Sequence, residues 1–274
     1  MADEVLVIEA GHTERDYWRD LWRYRELFYF LAWRDILVRY KQTAIGIAWA
    51  VLRPLLTMVV FTVVFGMLGK FPSHGVPYPI LVYVAMLPWQ FFASSLADSS
   101  GSLIGNANLI SKVYFPRLII PASAVITAFV DFLIAGVILL GLMAWYGFWP
   151  DWRVLTLPAF MLVAFAAAMG AGLWLTALNV KYRDFRFVVP FIVQFGLYIS
   201  PVGFTSAVVP ERWRLLYSIN PMVGVIDGFR WALLGGKTAL YVPGFVLSLI
   251  VVATVLATGI AYFRGTERTF ADII

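Results

Sequence analysis

From residue 43 to residue 68 the chain carries a single charge, Arg53. The run is roughly 26 residues, enough to cross a hydrocarbon core of about 30 Å at about 1.5 Å per residue. Nothing else in the sequence narrows its fold as much, because a segment in lipid must bond its own backbone groups and therefore forms a helix. The residues in front of it, Trp33-Arg34-Asp35-Ile36-Leu37-Val38-Arg39-Tyr40-Lys41-Gln42, are charged and aromatic. Arg39 and Lys41 stop at the threshold of the run, and basic residues retained beside a first span mark the cytoplasmic side.

Further apolar runs follow. Of 274 residues, 61% are hydrophobic, above the roughly 45–50% of a soluble domain, so the chain reads as an all-α integral membrane protein. Spans are expected over residues 43–68, 80–96, 118–145, 155–178, from 187 to about 200, and 241–263. Pro88 is expected to kink the second. The small residues of 166–172 let another helix approach the fourth closely. Residues 14–40 alternate charge with Tyr and Trp and read as one amphipathic helix lying in the membrane surface; it is either an anchor or an anchor that also touches a partner. This divides the chain into an N-terminal interfacial part (1–42), a six-span body (43–263) and a short tail (264–274). No cleavable leader is expected near Met1.

The positions of Lys and Arg test the map. The proposed inner segments carry fourteen (Arg15, Arg19, Arg23, Arg25, Arg34, Arg39, Lys41, Lys112, Arg117, Lys181, Arg183, Arg186, Arg264, Arg268), and the outer ones six (Lys70, Arg153, Arg212, Arg214, Arg230, Lys237). That bias places both termini in the cytoplasm. No internal repeat is evident, which weighs against an inverted-repeat secondary transporter.

Several chemistries are excluded or disfavoured. There is no cysteine, hence no disulfide, thiolate metal site or cysteine nucleophile. His12 and His74 are far apart without neighbouring ligands, so no metal site is expected. Gly236-Lys237-Thr238 resembles the end of a phosphate-binding loop, but Trp231 stands where that pattern needs a glycine. No nucleotide or other cofactor is therefore expected in this chain. No catalytic residues are expected either: Asp98, Asp131, Asp184 and Asp227 are scattered rather than clustered. Arg53 and Asp131 are the charges within spans, read either as conduit residues or as interhelical bonds. Arg53 is placed to reach toward Asp98. The many aromatics are interfacial belts or the lining of a sugar passage.

Four stretches together resemble type-2 ABC exporter permeases for polysaccharides, with O-antigen and teichoic-acid exporters as the nearest kind. They are Trp33 to Gln42 leading into Gly46-Ile47-Ala48-Trp49; Lys112-Val113-Tyr114-Phe115-Pro116-Arg117; Asn179-Val180-Lys181-Tyr182-Arg183-Asp184; and Asn220-Pro221-Met222 with Gly228-Phe229-Arg230. Arg53 departs from the pattern, which has a glutamine before the proline. The resemblance implies a homodimer in the bacterial inner membrane and two copies of a separate cytoplasmic ATPase that binds the ATP. It also implies a polyprenyl-diphosphate-linked polysaccharide as substrate. By the same resemblance, Gly101-Ser102-Leu103-Ile104-Gly105-Asn106-Ala107-Asn108-Leu109-Ile110-Ser111 docks on the ATPase. Two short outer helices, about 211–219 and 222–234, guard the exit with Trp213, Tyr217, Phe229, Arg230 and Trp231. They are expected to bury their aromatics in the outer leaflet and leave their charges at the headgroups. The competing readings are a membrane enzyme acting on lipid-linked sugars and a passive channel.

Overall fold

The computed structural model describes residues 14–41 and 46–270. The expected beginning of the first span at Thr43, His12 and residues 271–274 of the tail lie outside the described residues.

The described residues are mostly helical, without a strand. The surface segment is two helices, α1 (Glu14–Arg23) and α2 (Arg25–Lys41), broken at Tyr24, where a single one was expected. Next come α3 (Gly46–Phe61), which continues into a wider π-type coil over Thr62–Leu68, then α4 (Tyr78–Gly105) and the short α5 (Ala107–Ile110). After these follow α6 (Ile119–Trp145), α7 (Leu157–Lys181), α8 (Phe185–Ile199), α9 (Glu211–Tyr217), α10 (Pro221–Leu233) and α11 (Val242–Thr266). Among the described residues, five segments are long and apolar enough to cross a membrane: Val51–Leu68, Tyr78–Gly105, Ile119–Trp145, Trp152–Lys181 and Val242–Thr269. The apolar α8 is shorter, at 15 residues, or about 22 Å of helix.

α4 is the axis of the bundle. Ile80, Leu81, Val82, Tyr83, Val84 and Ala85 are all 0% exposed, packed among α6, α7 and α10. Pro88 sits inside this helix without ending it. The polar stretch after Asp98, beyond the expected end of the second span at 96, extends α4 to Gly105. α7 and α11 meet through glycine: a Cβ on Gly170 would lie 2.7 Å from Leu256 Cα, and one on Gly259 would lie 2.5 Å from the Gly170 carbonyl oxygen. The small-residue run thus provides the close approach expected of it.

The two ends of the bundle differ. The basic end holds α1, α2, α5 and the end of α11 around an apolar cluster that includes Leu31, Leu103, Ile110, Phe115, Phe263 and Phe270. The opposite end is closed by α9, α10 and the irregular chain after α8. Here α10 departs from the amphipathic expectation. Asp227 is 8% exposed, and Phe229 and Arg230 are 0% exposed, so these charges do not reach a headgroup layer. The physical reason lies in what Arg230 bonds. Its Nε donates to the Leu81 carbonyl at 3.2 Å, Nη1 to Phe204 at 2.7 Å and Nη2 to Val202 at 2.9 Å. A fully buried guanidinium persists only when its donors are paired; here they tie the chain at 202–204 to α4. Asn220 caps α10, its Oδ1 accepting from Met222 N at 3.0 Å while Nδ2 donates to Ser200 Oγ at 2.9 Å.

Arg230→Leu removes all three bonds, and the Val202 and Phe204 carbonyls of the irregular chain lose this donor, at about 1–3 kcal/mol each. The variant should lose several degrees of thermal stability in detergent and become sensitive to proteolysis within 200–209. Arg230→Lys, able to reach some of the carbonyls, should fall between it and the wild type.

Candidate functional site

The segment 101–111 is the last turn of α4, a bend at Asn106 and α5. Asn106 Nδ2 donates back to the Ser102 carbonyl at 2.8 Å, which uses the amide to stabilise the bend. Leu103 and Ile110 point into the apolar cluster, 0% and 6% exposed, whereas Ile104 is 46% exposed. Gly101, Gly105, Asn108 and Ser111 are also exposed, and Leu109 is half-buried. The segment therefore has an inner and an outer side. Beyond it, Val113 and Tyr114 are exposed. A partner docking here would meet Ile104, Asn108 and Tyr114 rather than Ile110.

α2 is fastened to this segment and to the spans. Leu31 is 2% exposed in the apolar cluster, and Arg34 Nη2 donates to Asn106 Oδ1 at 3.0 Å. Toward the membrane, Arg39 Nη2 donates to Asp98 Oδ2 of α4 at 2.6 Å and Nη1 to Asp131 Oδ2 of α6 at 2.7 Å. The Tyr40 hydroxyl makes a short bond to Asp131 Oδ1. One guanidinium thus spans two carboxylates on different helices, the fork geometry to which arginine is suited. Asp131 is held by an interhelical bond. Asp98, which Arg53 was expected to reach, is held by Arg39 instead, because α2 brings the Arg39 guanidinium between the two carboxylates. Arg39 and Tyr40 were missed as functional residues; an acidic residue inside a span requires a donor, and α2 delivers the nearest pair.

The rest of the basic end is tied in a second knot. Arg117 N donates to Glu267 Oε1 at 2.7 Å, and the Arg117 guanidinium bonds the Glu267 carbonyl. Arg264 lies 4.6 Å from the ring centroid of Tyr17 on α1. Burial, followed by the charge of Glu267, holds the Tyr17 phenol protonated well above its ordinary range.

The residues expected at the exit do not gather on one surface. Trp213 on α9 is 52% exposed. Tyr217 is half-buried and its hydroxyl donates to the Ile199 carbonyl at 2.6 Å. Trp231 lies half-buried beneath the Arg153 guanidinium, 5.4 Å from its ring centroid. Phe229 and Arg230 are interior. Among the described residues, no group of three or more His, Asp or Glu is placed to share a metal ion.

Residues 26–234 match the family described as ABC-2 type transporter. The chain belongs to that family. The matched region begins in α2 and ends just past α10, so it takes in both the 101–111 segment and the Arg230 clamp. Among ABC-2 proteins, the chain is 27% identical to the O-antigen export system permease protein RfbA of Myxococcus xanthus, over 93% of this chain and 98% of the relative. It is 27% identical to a protein of the same name from Klebsiella pneumoniae, over 88% and 92%. It is also 24% identical to the polysialic acid transport protein KpsM of Escherichia coli, over 86% and 91%.

Asp131→Asn keeps an acceptor for Arg39 and Tyr40 and should leave the fold and most of the transport activity intact. Asp131→Leu removes bonds to charged groups worth about 1.5–3 kcal/mol each and should lower both thermal stability and transport. Full activity of the leucine variant, measured in reconstituted vesicles, would show that the cluster is dispensable.

Proposed function

We propose that this ABC-2 chain is the membrane subunit of an ATP-driven exporter that moves a polyprenyl-diphosphate-linked polysaccharide out of the cytoplasm across the bacterial inner membrane. The observation that carries the reading is collinearity. Relatives named for O-antigen export and for polysialic acid transport align over nearly their whole length, 91–98%. In this reading α8 and the chain to Val209 form the sixth crossing, and the basic end faces the cytoplasm with both termini. Two copies pair to enclose a passage too long for one subunit, and two copies of a separate ATPase bind and hydrolyse ATP while this chain holds no cofactor. The exposed side of 101–111 meets the ATPase, α2 transmits the displacement, and the exposed Trp213 face of α9 borders the exit.

The carboxylates do not favour an enzyme of lipid-linked sugars. Asp98 and Asp131 are both occupied by Arg39, and Asp227 is buried beside Arg230. Clustered free carboxylates, as a divalent-cation site requires, are not assembled from them.

Co-purification with the ATPase from native membranes tests the proposal. Ile104→Asp places a charge at the exposed apolar spot of the docking side and should weaken ATPase association about tenfold, or about 1.4 kcal/mol, with the fold retained. Ile110→Asp should destabilise the chain itself, since Ile110 is buried within it. Normal association and normal export in Ile104→Asp would contradict the docking assignment.

A further inference from the structure

Arg53 is a charge within a span, and its side chain takes no part in the Arg39, Asp98 and Asp131 cluster. α3 presents it on an exposed face. Among the described residues, no ion pair or side-chain hydrogen bond engages its guanidinium; only its backbone carbonyl is used, accepting from Thr57 Oγ1 at 2.9 Å. It borders a cleft of ≈ 270 Å³ between α2, α3, α4 and α6, lined also by Arg39, Tyr40, Gln90, Ser94 and Asp131.

We propose that this cleft holds the phosphate of a membrane lipid, with Arg53 as its principal cation. Three observations carry this. First, the acidic groups nearby are committed: Arg39 occupies Asp98 and Asp131, and Tyr40 takes the other oxygen of Asp131. Among the described residues, Arg53 therefore has no protein anion left to it. Second, the wall offers neutral donors beside it. Gln90 Nε2 donates to Ser94 Oγ at 3.3 Å, which leaves a second amide N–H and the Ser94 hydroxyl proton for another acceptor. Third, Arg53 lies within the apolar run, as the eighth residue of α3 (Gly46–Phe61). An unpaired guanidinium is costly there, and a bound anion offsets that cost. A planar guanidinium binds two phosphate oxygens at once, which neither the amide nor the hydroxyl can do. At roughly 30 Å³ per water, the cleft accommodates a phosphate with several waters.

The phosphate comes from a bulk phospholipid or from the diphosphate of a lipid-linked glycan; only the second source rests on the export reading. Native mass spectrometry of the purified full-length chain in detergent separates them. The probes are phosphatidylglycerol, a polyprenyl diphosphate and, as a phosphate-free control, diacylglycerol. Wild type should retain one phosphate lipid per chain. Arg53→Gln should weaken that binding about tenfold, Arg53→Lys less, and Gln90→Leu about threefold, with diacylglycerol retention and thermal stability unchanged in each. Loss confined to phosphatidylglycerol assigns the site to bulk lipid, and loss confined to polyprenyl diphosphate assigns it to the carrier. Loss of both establishes a general phosphate site. Unaltered retention of both by folded Arg53→Gln and Gln90→Leu would overturn the proposal. The readout needs neither ATPase nor export, so a failure of the export reading leaves it standing.

Discussion

The basic end of this ABC-2 chain depends on one guanidinium. Arg39 joins α2 to the axial span α4 through Asp98 and to α6 through Asp131. A carboxylate inside a span is costly unless paired, and two neighbouring carboxylates repel each other. A single arginine between them offsets both effects. Since Arg39 belongs to α2, that electrostatic requirement also fixes where α2 lies. Leu31 and Arg34, farther up the same helix, then bring it against Leu103, Ile110 and Asn106. The 101–111 segment is thus attached to the spans twice, through its own helix α4 and through α2.

The opposite end solves the converse problem. α8 stops at Ile199, short of a full crossing, and the irregular chain that follows must satisfy its backbone without regular structure. Arg230 supplies three donors to that chain and to α4, and Asn220 fixes the start of the helix that carries Arg230. α10 is therefore a packed interior piece, whereas α9 presents Trp213 outward. If this end opens during transport, α9 is the element free to move, while α10 moves only with α4.

The apolar runs made most of the spans legible. Ends near Trp145, Lys181 and Ile199 follow from where charge, aromatics or Ser-Pro interrupt hydrophobicity, and the glycines at 170–172 announced a close helix contact. α10 was misread because Asp227 and Arg230 look the same in sequence whether solvated or bonded inside; only the positions of Leu81, Val202 and Phe204 decide it. Likewise nothing local marks Arg39 as the partner of residues 59 and 92 positions away. The coupling segment was placed by family resemblance, but its two sides were not separable, because Leu109 and Ile110 read as equally apolar. Burial against Phe115 and Leu103 is a tertiary fact.

The claim that Arg39 and Asp131 act as one unit is tested most directly by a double-mutant cycle. Thermal inactivation midpoints would be measured in lipid nanodiscs for Arg39→Gln, Asp131→Leu and the double variant. Contacting residues show coupling of about 0.5–3 kcal/mol, whereas independent sites add. The account predicts that each single variant lowers the midpoint and that the double variant falls little below the worse single one. Strict additivity of the two shifts would contradict it.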